Sequence, residues 1–392
     1  MNRVCAALVA GLAVVALCAA VSDASAGEDP VAERAGRLAS ALWQRQRADG
    51  GWRSETYAVL KTGQALTPVV LQALMRIPES LAPRPAGSVE RAVAFIRAGI
   101  DERGAVGMGD PDLLEYPTYA TAYALSCLVD RRDPVDLPLI ARLTQRLIGS
   151  QCQESNGSTP GHPEYGGWGF SAPRAGQPGH IDLAHTRIVL QALRAADALD
   201  DACAARALLF LRLVQRHPSE TRVQPSFAAA DAAIRSDYDG GFYLSPVVLA
   251  ANKGGGGSPE QPWFSSYATA TCDGLAALVA AGVAIDDERV TAAIAWLQRH
   301  PRWDWPEGIA RGASEPWGES VRFYHLSVRA LTARWHMPIA ADWSPLLLAL
   351  GHARTDGLYA NPPGFLMKED DPLVASALAL EALAYAVESD DE

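Results

Sequence analysis

The feature that most constrains this chain is a series of helix-length segments carrying little charge. Ile181–Leu193, Ala268–Ala284 and Leu373–Tyr385 are apolar around nearly the whole helical circumference. A helix without a polar face has to be buried on nearly all sides. Alternating with these are amphipathic segments, in which Val89, Val93 and Ile96, or Val290, Ile294 and Leu297, recur at i, i+4, i+7. Turns rich in glycine, proline and aromatic residues join each amphipathic segment to the apolar one that follows. Six such pairs are readable. First helices begin near Val31, Val89, Pro138, Ala202, Glu288 and Trp343, and second helices near Thr67, Pro117, Ile181, Ser265, Glu319 and Pro372.

Two classes of helix predict two concentric layers, amphipathic outside and apolar inside. An open array of repeats would need polar caps at both ends, whereas the last pair stays apolar as far as Val387. The pattern therefore predicts an all-α fold, an α/α toroid of about six helix pairs closed on itself. The longest insertion, Ala250–Pro262, centres on Gly254–Gly257 and reads as a surface loop.

The N-terminus reads as a leader. Arg3, the apolar run Val4–Val21 and the small-x-small site Ala24-Ser25-Ala26 predict a signal peptide over 1–26 and a single toroid domain over 27–392. Export to the periplasm, the medium or the cell surface follows, with no stable membrane span after processing. The alternative is an anchor formed by the uncleaved segment. With 45 carboxylates against 34 basic side chains, a net charge of −11 and no basic stripe, the chain is not built for nucleic acid. Cys127, Cys203 and Cys272 fall in apolar helical patterns, and with Cys152 they are read as buried free thiols rather than a disulfide framework.

The turns carry a motif. Trp43-Gln44-Arg45-Gln46 precedes Asp49-Gly50-Gly51-Trp52; Gly166-Gly167-Trp168-Gly169-Phe170 and Asp239-Gly240-Gly241-Phe242 repeat it, with degenerate copies at Trp303-Asp304-Trp305 and Asp356-Gly357-Leu358-Tyr359. Paired glycines let the backbone turn sharply, and the aromatic packs back over the helix end. These turns resemble the Q-x-x-D-G-G-W repeat of squalene and hopene cyclases. Asp286–Leu297 and Tyr324-His325 resemble an exported bacterial group of prenyltransferase/squalene-oxidase repeat proteins. The resemblance implies the toroid and leaves the reaction open.

The resemblance also says where to look for chemistry. Hopene-type cyclases protonate an alkene with Asp-x-Asp-Asp; the nearest segment here is Lys368-Glu369-Asp370-Asp371, and Asp371 before Pro372 reads as a helix cap. Aromatics make up 7% of the chain and lie mostly in turns, unlike an aromatic-rich cyclisation cavity. Prenyltransferase β subunits hold zinc with Asp, Cys and His. Asp273-Gly274-Leu275 and Phe323-Tyr324-His325 match two of those positions, with Leu275 in place of the thiolate. Cys272 sits about 100° round the helix from Asp273. Two ligands fall short of the three or four that zinc takes, so no cofactor is expected, and zinc on Asp273, His325 and Cys272 is the alternative.

Polar residues on the inner helices are the cavity candidates: Asp182, His185, Asp273, His325 and Tyr119. Asp182 and His185 lie three apart and share a helix side, and Asp182 doubles as a cap. Asp273 and His325 are read as cavity residues bonded to each other or to water. Gln46, Asp49, Gly50, Gly51, Trp52, Gly166, Gly167, Trp168, Gly240, Gly241 and Phe242 are structural. There is no P-loop, HExxH or GxSxG. The expected role is binding of an apolar small molecule or protein through the cavity or turn surface. The alternatives are an enzyme acting on isoprenoid-like substrates and a carbohydrate-active toroid.

Overall fold

The computed structural model describes residues 30–110, 112–174, 179–222, 238–255, 265–337 and 342–389. The leader with its cleavage site, and residues 256–262 of the glycine-rich insertion, lie outside the described residues.

Thirteen helices are present among the described residues: α1 (Pro30–Trp43), α2 (Leu66–Met75), α3 (Ser88–Ala98), α4 (Pro117–Arg131), α5 (Leu137–Gly149), α6 (Leu183–Ala195), α7 (Asp201–Val214), α8 (Ala268–Ala280), α9 (Glu288–Arg299), α10 (Trp317–Ser320), α11 (Arg322–His336), α12 (Ser344–Leu350) and α13 (Pro372–Ser389). The predicted pairs are α1/α2, α3/α4, α5/α6, α7/α8, α9/α11 and α12/α13, and each starts within three residues of its position in the sequence reading. The one described sheet is a two-residue antiparallel pair, β1 (Trp168–Gly169) with β2 (Ile181–Asp182). It makes α6 begin two residues later than its apolar pattern suggests.

The apolar helices form the inner ring. α2, α4, α6, α8, α11 and α13 each pack on the next, and α13 packs back on α2. The circle is closed, and charged groups seal its seam. Arg34 Nη1 on α1 donates to the carbonyls of Leu347 and Gly351, both at 2.9 Å. Ser54 Oγ donates to Asp371 at 2.5 Å, and Arg76 meets Glu388 at 2.7 Å.

The turn motif works as a clamp. Gln46 Nε2 donates to Gly50 O and to Ser88 O at the start of the next outer helix. Gln151 does the same to Gly166 O and Cys203 O, and Gln215 to Gly240 O and Arg289 O. The following residue's N–H donates to a hydroxyl on the inner helix: Trp52 to Thr67, Trp168 to Thr186, Phe242 to Thr271 and Tyr359 to Ser376. Val106 donates to Thr121 in the same way. This further copy, Gly104-Ala105-Val106, was missed in the sequence because it has no aromatic. Gly50, Gly166 and Gly240 have φ of 88–90°, which side chains rarely adopt. Trp52, Trp168 and Phe242 are fully buried.

Cys127, Cys152, Cys203 and Cys272 are buried free thiols. No described helix is long and apolar enough to cross a membrane.

Candidate functional site

The first turns of all six inner helices surround one cavity of about 570 Å³. Leu66 and Val69 come from α2, Ala184 from α6, and Val374 and Leu378 from α13. Seven aromatic side chains join them: Tyr116, Tyr119, Tyr123, Phe170, Tyr267, Trp317 and Tyr324. The expectation that aromatics stay in the turns fails here. The low overall count hides a concentration at the helix N-termini, where a ring places residues that are far apart in sequence side by side.

Polar groups gather on one wall. Asp182 caps α6, accepting the His185 N–H at 2.9 Å, and the same carboxylate lies 2.9 Å from His185 Nδ1 through both oxygens. His180 Nε2 adds a contact at 3.6 Å. Burial works against ionisation of Asp182, but the neighbouring His185 and its hydrogen bonds hold the carboxyl below its ordinary value. An ionised carboxylate only accepts, so it holds an imidazole hydrogen on Nδ1. Nε2 is buried and has no hydrogen-bond partner among the described residues. Tyr119 stands edge-on to this ring at 4.4 Å.

The cavity floor holds a second cluster. Arg187 Nε donates to Asp273 at 2.7 Å, and the Tyr324 hydroxyl reaches both Asp273 oxygens at 2.9 and 3.0 Å. Burial pushes the Asp273 carboxyl up to about 6 against the pull of Arg187 and Tyr324. Lys253 also lines the cavity, with Nζ donating to Ala251 O at 2.8 Å. Burial lowers its amine to about 8.

Of the sequence candidates, Tyr119, Asp182, His185 and Asp273 line this cavity. His325 does not. It stands about 100° round α11 from Tyr324, and its Nε2 faces the Arg302 carbonyl at 3.2 Å. Of the two expected arrangements, Asp273 and His325 bonded to each other or to water, the first does not occur: Asp273 bonds Arg187 and Tyr324 instead. Arg187 was missed, although it is a lone guanidinium in an apolar segment. Tyr324 was missed because it was read only as part of a motif.

No family model matches this chain, and no curated protein matches it. Among solved structures it is similar to the type II terpene cyclase MstE of Scytonema. A variant bound to geranylgeranyl dihydroxybenzoate is 13% identical, with a TM-score of 0.53, and the match covers 92% of this chain and 97% of that one. A product-bound variant gives 0.55 at the same identity and coverage. An inactive α-1,6-mannanase variant of Salegentibacter in complex with α-1,6-mannotriose is 10% identical, with a TM-score of 0.53, covering 92% and 99%. The fold is the terpene cyclase-like α/α toroid.

Within this toroid, the segment nearest to the cyclase acid motif is occupied with structure. Glu369 accepts the backbone N–H groups of Phe323 and Tyr324 at 2.7 and 2.9 Å, capping α11 from across the ring. Burial pushes its carboxyl up to about 8. Asp370 accepts the Tyr57 hydroxyl, and Asp371 caps α13 through the N–H groups of Leu373 and Val374. The weak zinc candidates do not converge either. Asp273 is held by Arg187, His325 faces away, and the Cys272 thiol lies beside Thr332 and Arg329. No described group of three His, Cys, Asp or Glu side chains is placed to share a metal.

Proposed function

We propose that the toroid binds an elongated apolar ligand with one polar group in its central cavity. The carrying observation is a largely aromatic and aliphatic lining that holds the oriented Asp182–His185 pair, whose Nε2 has no partner among the described residues. An apolar body contributes burial energy, and a hydroxyl on the ligand would satisfy Nε2.

Displacement of the fluorescent probe 1-N-phenylnaphthylamine by geranylgeraniol tests this. Ala184→Trp and Val374→Trp should fill the cavity and abolish probe binding. His185→Phe should keep the probe and weaken the alcohol. Equal probe binding in the wild type and both tryptophan variants would place the ligand elsewhere and sink the proposal.

A second reading is an enzyme acting on isoprenoid-like substrates, and the Asp182–His185 pair favours it. A carboxylate-oriented imidazole is the usual form of a protein acid–base group. Incubation with geranylgeranyl dihydroxybenzoate, followed by chromatography for isomeric products, tests it; turnover surviving His185→Gln would remove the pair from the chemistry. The carbohydrate reading has less support. Asp182, Asp273 and Glu369 are each engaged with a protein partner, leaving no pair of free carboxylates across the cavity among the described residues.

A further inference from the structure

α11 has a second face with chemistry of its own. His325, Arg329, Thr332 and His336 follow one another at i, i+4, i+7 and i+11, a stripe on the side away from the central cavity. Arg329 is 2% exposed, and its Nε and Nη1 have no hydrogen-bond acceptor among the described residues. The guanidinium lies 5.5 Å from the Trp303 ring centroid, a contact that satisfies no N–H.

Among the described residues no carboxylate meets the guanidinium directly, although Glu307 lies near enough to favour its charge. His325 and His336 are pulled down to about 3, by burial and then by Arg329 itself, and so stay neutral. His325 Nδ1 is a further buried nitrogen without a partner. Asp304 is bound by Arg302 and Arg311, and Glu307 accepts the Arg302 N–H. A guanidinium does not shed its proton in proteins. Leaving a buried guanidinium without an acceptor costs free energy.

The charge has a cavity beside it. α12 has 7 residues where the other outer helices have 11 to 14, so the outer ring is thin at this point. The gap leaves a cleft of about 510 Å³ between α9, α11 and α12 that includes Arg329 and His336. Leu297, Pro301, Trp303, Met337, Pro345 and Leu348 give it apolar walls, and Leu348 is 83% exposed at its edge.

We propose that this cleft is a second ligand site, taking an apolar monocarboxylate whose carboxylate meets Arg329 and whose tail lies along the α9–α12 walls. One buried cation among neutral histidines matches a single negative charge. A phosphate dianion would bring more charge than Arg329 neutralises, since Arg302, which also lines the cleft, is already paired with Asp304.

Octanoate is the probe, followed by isothermal titration and by its effect on the melting temperature. The wild type should bind saturably, and inorganic phosphate should not. Arg329→Met keeps an apolar side chain of similar length and should weaken octanoate by about tenfold or more, the loss of a charge-assisted hydrogen bond. Leu348→Asp alters only an exposed edge, so its fold is secure, and it should weaken octanoate by repulsion. Ala184→Trp, which fills the central cavity, should leave octanoate binding intact. Absence of saturable binding, or unchanged binding in both Arg329→Met and Leu348→Asp, would overturn the site. Loss of octanoate in Ala184→Trp would assign the carboxylate to the central cavity and overturn it equally.

Discussion

Arg187 on α6 and Asp273 on α8 meet at 2.7 Å, both buried, and tie two neighbouring inner helices together beneath the cavity. Breaking such a pair from one side strands a buried charge. Arg187→Met is expected to lower stability by about 3–5 kcal/mol, and the double variant Arg187→Met with Asp273→Asn by clearly less. Urea unfolding of the three proteins measures this. A single-variant loss below about 1 kcal/mol would mean that the pair behaves like a solvated one.

This pair also marks the limit of what the sequence reveals. The ring, its six pairs and the helix starts are legible because periodicity of charge and apolarity is local information. Asp182 and His185 are legible as a pair because i, i+3 spacing fixes their common side. Arg187 with Asp273 is not, since 86 residues separate them and only the curvature of the ring decides which inner faces meet. His325 failed for the opposite reason. A family motif placed it in the cavity, while its helical phase relative to Tyr324 turns it outward.

Glu369 makes stability depend on pH. Unfolded, its carboxyl ionises near 4.5; folded, burial holds the proton to about 8. Between those values the folded state binds more protons, so its contribution is lost as pH rises from about 4.5 to about 8. Glu369→Gln stays neutral and keeps an acceptor for α11. The wild type should therefore lose ground to this variant between pH 5 and pH 8 in matched urea titrations. A wild-type-minus-variant difference that is constant with pH would refute the assignment.

The motif glutamines should rank by burial. Gln151 and Gln215 are buried and each satisfies two backbone carbonyls, whereas Gln46 is half-buried. Alanine at 151 or 215 should cost about 1–3 kcal/mol for each carbonyl stranded, and alanine at 46 less. Thermal unfolding that places Gln46→Ala as the most damaging would contradict the clamp.

Gly157 and Gly166 both have φ of 88° but different surroundings. A Cβ at Gly157 meets nothing within 4 Å, while one at Gly166 would stand 1.8 Å from Arg206 O. Gly157→Ala should cost about 1–2 kcal/mol from backbone strain alone. Gly166→Ala should cost about 1–3 kcal/mol more, because the next outer helix has to move. Equal losses in denaturant titrations would show that the turn yields without disturbing α7.

The seam has a kinetic consequence. Ser54 and Asp371 are 317 residues apart, and Arg76 and Glu388 are 312 apart. Every other junction of the ring joins inner helices separated in the chain by one outer helix and its turns, so five of the six inner contacts form between segments much closer in sequence. The sixth needs the whole arc assembled first. Its entropic penalty grows only as the logarithm of loop length, so closure is slow chiefly because the arc has to reach the right curvature before α2 and α13 meet. Until then, the apolar flanks of both helices face water. A chain with its arc formed and its seam still open would be a crescent with two apolar ends, and at high concentration those ends could meet other crescents instead of each other.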